Sequence, residues 1–144
     1  MMPDPLSTLI KLRRRVCDEA RLALAKAIAA EAEAEARVQA VDRTIAIEAE
    51  AAADPAGSDA TVEAFVAWLP GARGLLEEAR RTLVDLQAET ARVRAELTAS
   101  RTAFESVEAL DQQRREAAHL ARERRAERDL EDRPSRPGSD WLRS

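Results

Sequence analysis

Residues 62–107 read VEAFVAWLPGARGLLEEARRTLVDLQAETARVRAELTASRTAFESV. They contain an uninterrupted series of positions spaced alternately by three and four residues. Every position in the series is apolar, small or a hydroxyl residue: Val62, Phe65, Leu69, Ala72, Leu76, Ala79, Leu83, Leu86, Thr90, Val93, Leu97, Ser100, Phe104 and Val107. Steps that alternate between three and four residues are typical of a coiled-coil seam. The stretch therefore predicts a long helix that packs against another helix.

The partner helix lies upstream, where residues 6–53 contain neither Gly nor Pro. A weaker stripe runs from Leu6 to Ile45, with charged interruptions at Arg13 and Glu31. Asp4 followed by Pro5 is typical of an N-cap with proline at the first helical position. We expect a first helix over about residues 5–53.

Residues 54–60 concentrate turn-forming residues and predict a hinge. A connection this short makes two helices antiparallel, and equal counting outward from the hinge places Leu6 opposite Val107 or Glu108. The second helix, over about residues 61–131, then extends beyond the first as an unpaired overhang, residues 109–131. The expected fold is all-α: a single long antiparallel two-helix coiled-coil hairpin with this helical overhang at its C-terminal end.

Prolines occur at two places that affect the second helix, one inside it and one at its C-terminal end. Pro70, followed by Gly71, predicts either a kink within one helix or a break into two. Pro134 and Pro137 end the helix, and the tail over residues 133–144 is expected to be disordered.

The composition excludes most other classes of protein. Hydrophobic residues make up 45% of the chain, charged residues 35% and aromatic residues only 3%, which is too few aromatic side chains for a sandwich, an α/β sheet or a spherical bundle. The net charge of −4 and the absence of stacking aromatics beside the basic residues argue against a nucleic-acid partner. Cys17 is the sole cysteine and cannot form an internal disulfide, so a cytoplasmic location is expected, without a signal peptide or membrane span.

Catalytic chemistry finds no support in the sequence. His119 is the only histidine, so neither a catalytic triad nor a zinc site can be assembled from the usual ligands. Residues 71–74 lack the Gly-Lys-Ser/Thr ending of a phosphate-binding loop. We expect no enzyme activity, no metal, no cofactor and no small-molecule substrate.

Two groups of residues are candidates for binding partner proteins. The overhang is rich in arginine, which suits acidic protein surfaces, although much of this charge can pair along the helix itself. At the hinge, Trp68 lies one step off the seam beside Phe65, and an exposed tryptophan is a common anchor for a partner.

The chain resembles the flagellar export protein FliJ family, which also includes the stalk proteins of type III injectisomes. The residues that carry the resemblance are Leu9-Ile10-Lys11-Leu12-Arg13, Phe65-Val66-Ala67-Trp68-Leu69-Pro70, Leu110-Asp111-Gln112-Gln113-Arg114 and the stretch from Arg125 to Asp132. Glu127-Arg128 stands where the family tends to have Gln-Lys. The resemblance covers roughly residues 5–132.

This resemblance implies a non-enzymatic coiled-coil stalk of the flagellar type III export apparatus. Such a stalk inserts into the pore of the hexameric export ATPase, promotes its ring assembly, and links it to the cytoplasmic domain of the export gate and to export chaperones. That places it in the cytoplasm, peripherally associated with the inner membrane. Carried onto this sequence, the ATPase-binding residues are Arg114, Arg115, Arg124, Arg125 and Arg128, and the gate-binding residues are Phe65, Trp68 and Leu75.

Two alternatives stay open. Helix 1 is so rich in alanine that two hairpins could associate into a four-helix bundle, which would make the protein a self-associating structural coiled coil. The stalk could also serve an injectisome instead of a flagellum.

Overall fold

The computed structural model of the protein describes residues 4–133 as two long helices. Helix α1 spans Pro5–Ala52 and helix α2 spans Asp59–Glu131, and within residues 4–133 no strand occurs. The two helices pack side by side and run antiparallel. The predicted all-α hairpin is confirmed. The predicted disordered tail lies outside the described residues, apart from Arg133.

The helix ends follow local capping chemistry. The Asp4 carboxylate accepts a hydrogen bond of 3.2 Å from the backbone N–H of Leu6, and Pro5 occupies the first helical position, as the sequence predicted. Helix α2 begins at Asp59, two residues before the expected start, because Ser58 occupies the N-cap and the Asp59 carboxylate lies in the first turn, where the helix dipole favours a negative charge.

The loop between the helices is a tight turn built on Asp54. Its carboxylate accepts a hydrogen bond of 3.0 Å from the Ala56 N–H, and its carbonyl accepts one of 2.9 Å from the Gly57 N–H. A Cβ atom added to Gly57 would lie 3.1 Å from that carbonyl oxygen, so glycine fits this close approach best. The turn reverses the chain within a few residues.

The seam positions face the partner helix almost throughout. From Phe65 to Val107 every predicted seam residue of α2 is buried or half-buried, and only Val62, nearest the loop, is exposed. On α1, Arg13 is exposed and Glu31 is half-buried, while the other residues of the predicted stripe are buried or half-buried. Cys17 is 3% exposed, which confirms it as a small buried apolar residue.

The register differs from the one that equal counting gave. The Thr90 hydroxyl lies 3.0 Å from the Leu86 carbonyl oxygen and 3.4 Å from the Ala27 carbonyl oxygen across the seam. Counting outward from that contact places Leu6 level with Asp111, one helical turn beyond the expected Val107 or Glu108. Side-chain packing along the seam sets the register, whereas the loop sets only the direction of the chain.

Pro70 lies inside α2, which continues through it as one helix, so the alternative of a break is wrong. Proline removes the hydrogen bond to the carbonyl of residue 66. Both Val66 and Pro70 are exposed, so that carbonyl has access to water. The helix tolerates proline here because the carbonyl that loses its hydrogen bond can bind water instead.

Replacing Pro70 with alanine should therefore stabilise the hairpin. The substitution restores one backbone hydrogen bond and removes the clash of the proline ring with the preceding turn. The unfolded chain becomes freer, which offsets part of this gain, so we expect the free energy of unfolding to rise by only about 1 to 2 kcal/mol. Urea unfolding followed by circular dichroism measures this change. An unchanged or lower stability would mean that the proline fits α2 without loss.

One cluster of ion pairs lies on the outer surface midway along α2. Arg92 contacts Glu89 through a hydrogen bond of 2.9 Å and also pairs with Glu96 one turn further on. The hydrogen bond from Arg92 lowers the pKa of Glu89 below its ordinary value, and the same contact raises the pKa of Arg92. Exposed pairs of this spacing add only a few tenths of a kcal/mol (about 0.2–0.5) to a helix.

Candidate interaction surfaces

The overhang leaves the hairpin as a fully exposed helix. Asp111 is half-buried, and every residue from Gln112 to Arg133 is exposed, although α2 continues to Glu131. At 1.5 Å per residue this exposed helix is roughly 30 Å long. The predicted unpaired overhang is confirmed.

Arginines and glutamates of the overhang lie mostly on opposite sides of the helix. The seam spacing continues beyond Asp111 through Arg114, Ala118, Ala121, Arg125 and Arg128, and Arg115, Arg122 and Asp129 each lie one position beside that line. At about 100° per residue, these arginines share the side of α2 that faces α1 in the paired region. The opposite side carries carboxylates and one leucine: Glu116, Leu120, Glu123 and Glu127. We call the arginine side the basic face.

The basic face meets the start of α1 in a cleft of about 580 Å³. Lys11 and Arg14 line the cleft from α1, and Arg114, Arg115 and Arg122 line it from α2. The Arg14 guanidinium also lies over the Phe104 ring, 5.5 Å from its centroid, which fixes it at the mouth of the cleft. Five cationic side chains from two helices therefore converge at one end of the rod, where they outnumber the three carboxylates of the same cleft, Asp4, Glu108 and Asp111.

Few of these charges are neutralised by neighbours. Arg115 pairs with Asp111 at 3.1 Å, but within residues 4–133 neither Arg114 nor Arg125 forms an ion pair with a carboxylate. His119 pairs with Glu123 at 3.0 Å, which agrees with its interpretation as an exposed polar residue. The basic face is left available to an acidic surface.

The five predicted ATPase-binding arginines do not all share one side. Arg114, Arg115, Arg125 and Arg128 lie on the basic face, whereas Arg124 lies roughly a quarter of a turn from the line of Arg114 and Arg125, on the other side from Arg115. Arg122, which the prediction left out, belongs to the cleft. Its signal was present in the sequence, since Arg122 follows Arg115 by one heptad.

At the opposite end, two of the predicted gate-binding residues form one aromatic cluster. The rings of Phe65 and Trp68 lie 5.9 Å apart between centroids, tilted by 39°. Phe65 is half-buried, and Trp68 is 39% exposed. Both rings wall a groove of about 440 Å³ whose floor includes Ala51 and Ala52 of α1.

Leu75, the third predicted residue, lies outside that groove. It follows Trp68 by one heptad on the same edge of α2, roughly 10 Å along the axis, and is 54% exposed. The structure thus gives an aromatic groove with one separate apolar residue beside it, along a single edge of the hairpin.

Other kinds of site find no support in the described part of the chain. Among residues 4–133, no group of three or more His, Cys, Asp or Glu side chains is arranged to hold a metal ion. None of the helices in that range has the length and apolar character needed to cross a membrane. The two features that stand out in this part of the chain are the basic face with its cleft at one end of the hairpin and the aromatic groove at the other.

A family model described as flagellar FliJ protein matches residues 2–132, which include both helices and the loop. The chain belongs to the flagellar FliJ family. Comparison with curated proteins and with solved structures found no match. As a FliJ-family member, the chain is a component of flagellar type III protein export, and the family is a structural component of that system, not a known enzyme.

The family match also bears on the injectisome alternative. The model that matches is the flagellar one, and it extends over the overhang and the tip alike. Membership in this family therefore favours a flagellar export system, and it agrees with the resemblance found from the sequence.

Proposed function

We propose that this FliJ-family protein is the stalk of the flagellar export ATPase. In this proposal the overhang enters the central pore of the hexameric export ATPase and promotes assembly of the ring. The hairpin tip contacts the cytoplasmic domain of the export gate, and the rod also engages export chaperones. The protein then works in the cytoplasm, held at the inner membrane through the export apparatus.

The overhang is the observation that carries the proposal. Over about 30 Å the overhang has no partner helix, and its surface is polar on all sides. Such a helix is only marginally stable alone, so a partner that surrounds it accounts best for the overhang. A ring pore can enclose such a helix from every side. The paired part of the hairpin supplies a stiff base that holds the overhang along the ring axis.

The charge of the basic face supports an acidic lining on the ATPase side. Arginine makes strong hydrogen bonds to carboxylates, and its guanidinium is weakly hydrated, so it suits such interfaces. The cleft at the base of the overhang adds Lys11 and Arg14 to the same surface. The proposed contact therefore extends from the overhang onto the first turns of α1.

Charge reversal tests this contact. We expect the variant with Arg114, Arg115 and Arg125 changed to glutamate to bind the cognate export ATPase at least ~10-fold more weakly, because three favourable charge contacts become repulsive. Binding is measured by biolayer interferometry on the assembled ATPase. The matched control reverses three arginines midway along the rod, Arg80, Arg81 and Arg94, which are exposed and should change affinity by less than ~2-fold.

A second comparison tests the side of the overhang. Arg125→Glu and Arg124→Glu each reverse one charge at neighbouring positions of the same helix, so they differ only in the face affected. A larger loss for Arg125→Glu would support the basic face as the contact. Unchanged ATPase binding in all these variants would contradict the proposal.

Self-association is a second candidate function, and one observation favours it. Leu9, Leu12 and Val16 form an exposed apolar stripe near the start of α1, away from the seam. A second hairpin could cover this stripe in a four-helix bundle. Such a protein would unfold at higher denaturant as its concentration rises.

A further inference from the structure

The hairpin tip, defined as residues 42–75, is strongly acidic. It contains six carboxylates and only two basic residues, Arg43 and Arg73; the carboxylates are Asp42, Glu48, Glu50, Asp54, Asp59 and Glu63. The last turn of α1 has no basic residue, and the C-terminal end of a helix itself carries partial negative charge. The negative field at the tip is therefore both side-chain and backbone in origin.

These carboxylates are presented outward. All six are exposed, and within residues 4–133 none of them forms an ion pair. Asp54 and Asp59 have local roles, since Asp54 builds the turn and Asp59 lies in the first turn of α2. Glu48, Glu50 and Glu63 have no such role in the fold, which leaves them free for a partner.

The aromatic groove lies inside this acidic surface. Glu48 stands at its rim, Phe65 and Trp68 form one wall, and Ala51, Ala52 and Ala64 provide small side chains below. The groove has room for one or two large apolar side chains. Glu48 is the one carboxylate that lines the groove, whereas Glu50 and Glu63 lie on other sides of their helices and act on a ligand in the groove only through the negative field of the tip.

Further apolar side chains are exposed around the groove. Ile47 is 56% exposed on α1, and Val66 is 61% exposed on α2. Ile47, Glu50 and Asp54 line a second shallow groove on the outer side of α1. On both helices of the tip, exposed apolar side chains therefore lie between carboxylates.

We infer that the tip groove binds a basic amphipathic segment, in which a large apolar side chain enters between Trp68 and Ala51, a lysine or arginine side chain meets Glu48 at the rim, and the negative field of Glu50 and Glu63 attracts the segment from further away. Charge complementarity selects this occupant, because an acidic segment or a second copy of the same tip would meet repulsion from the carboxylates. That the segment belongs to the export gate rests on the proposed function. The chemistry of the segment rests on the tip alone.

The test measures binding of the cytoplasmic domain of the export gate to the full chain by isothermal titration calorimetry. The variant Glu48/Glu50/Glu63→Gln removes three charges and keeps side-chain length, so the helices should persist. We expect an affinity loss of about 10-fold in this variant and a similar loss for the unchanged protein on raising salt from low to high concentration. Trp68→Ala should weaken binding at least as much.

A matched control is available on the overhang. Glu116/Glu123/Glu127→Gln also removes three exposed glutamates from α2 and alters net charge by the same amount. It should change gate affinity by less than ~2-fold, since these residues are far from the tip. An equal loss in both variants would mean that only the overall charge matters, which would overturn the inference.

Two further outcomes separate this inference from the proposed function. If Trp68→Ala weakens gate binding but the tip glutamine variant and salt do not, the proposed gate contact stands and the inference is wrong. If the gate domain does not bind at all, the proposed contact fails, and a pair of fluorescent peptides decides the chemistry instead. These carry a central leucine and tryptophan flanked either by lysines or by glutamates; failure of the tip to prefer the lysine peptide overturns the inference.

Discussion

Truncation of the chain after Asp111 is expected to abolish stimulation of the cognate export ATPase while leaving the hairpin folded. All the residues of α2 beyond Asp111 are exposed, so their removal takes away no part of the seam. The truncated chain loses Arg114, Arg115, Arg122 and Arg125 together with the whole helix that would enter the ring. The expected effect on activity is therefore complete, whereas the change in melting temperature should stay below ~5 °C.

The measurement is the rate of ATP hydrolysis by the export ATPase at increasing concentrations of full-length or truncated protein. Circular dichroism of the truncated chain provides the folding control. If the truncated chain stimulates the ATPase as well as the full chain does, the overhang is not the part that enters the ring. If neither chain has any effect, the proposed stalk function is wrong although the family membership stands.

Replacing Leu97 with alanine should cause the largest loss of stability among single substitutions in the seam. Leu97 is 8% exposed, and three of the eight buried apolar residues of the core are alanines, so each large side chain matters. Leucine-to-alanine changes in cores cost about 2 to 4 kcal/mol, and both residues favour helices equally well. Such a loss is a large share of the ~5–15 kcal/mol that holds a domain folded.

Leu120→Ala is the matched control, because it makes the same change in the same helix at a site that is 52% exposed. Its effect should remain below ~0.5 kcal/mol. Urea unfolding of both variants at low and high protein concentration gives the comparison. Equal losses would mean that the seam is not the main source of stability, and a midpoint that rises with concentration in the unchanged protein would favour the self-associating alternative.

The overall fold could be predicted from the sequence because its determinants are local or strictly periodic. The three-and-four spacing from Val62 to Val107 depends only on which residues recur along one helix. The turn at Asp54 and Gly57 and the cap at Asp4 depend on a few neighbouring residues. The overhang followed from the different lengths of the two helices on either side of that turn.

The candidate sites could be predicted only in part. The sequence identified an arginine-rich helix and an aromatic pair beside the loop, since both are visible as composition. It did not separate Arg124 from the other four predicted arginines, or add Arg122, because that division depends on which side of α2 faces α1. The acidity of the tip was also missed, although its signal was present, since all six carboxylates lie within the continuous stretch of residues 42–63.

The sequence by itself determined that this protein is a helical hairpin with an unpaired basic extension, because helix propensity, capping and heptad spacing are properties of neighbouring residues. The tertiary structure decided the register, which places Leu6 beside Asp111, and with it the cleft that Lys11 and Arg14 share with the overhang. It also decided that Phe65 and Trp68 wall a groove with Ala51 and Ala52. These features depend on how two distant helices interlock, and side-chain packing along the whole seam sets that fit.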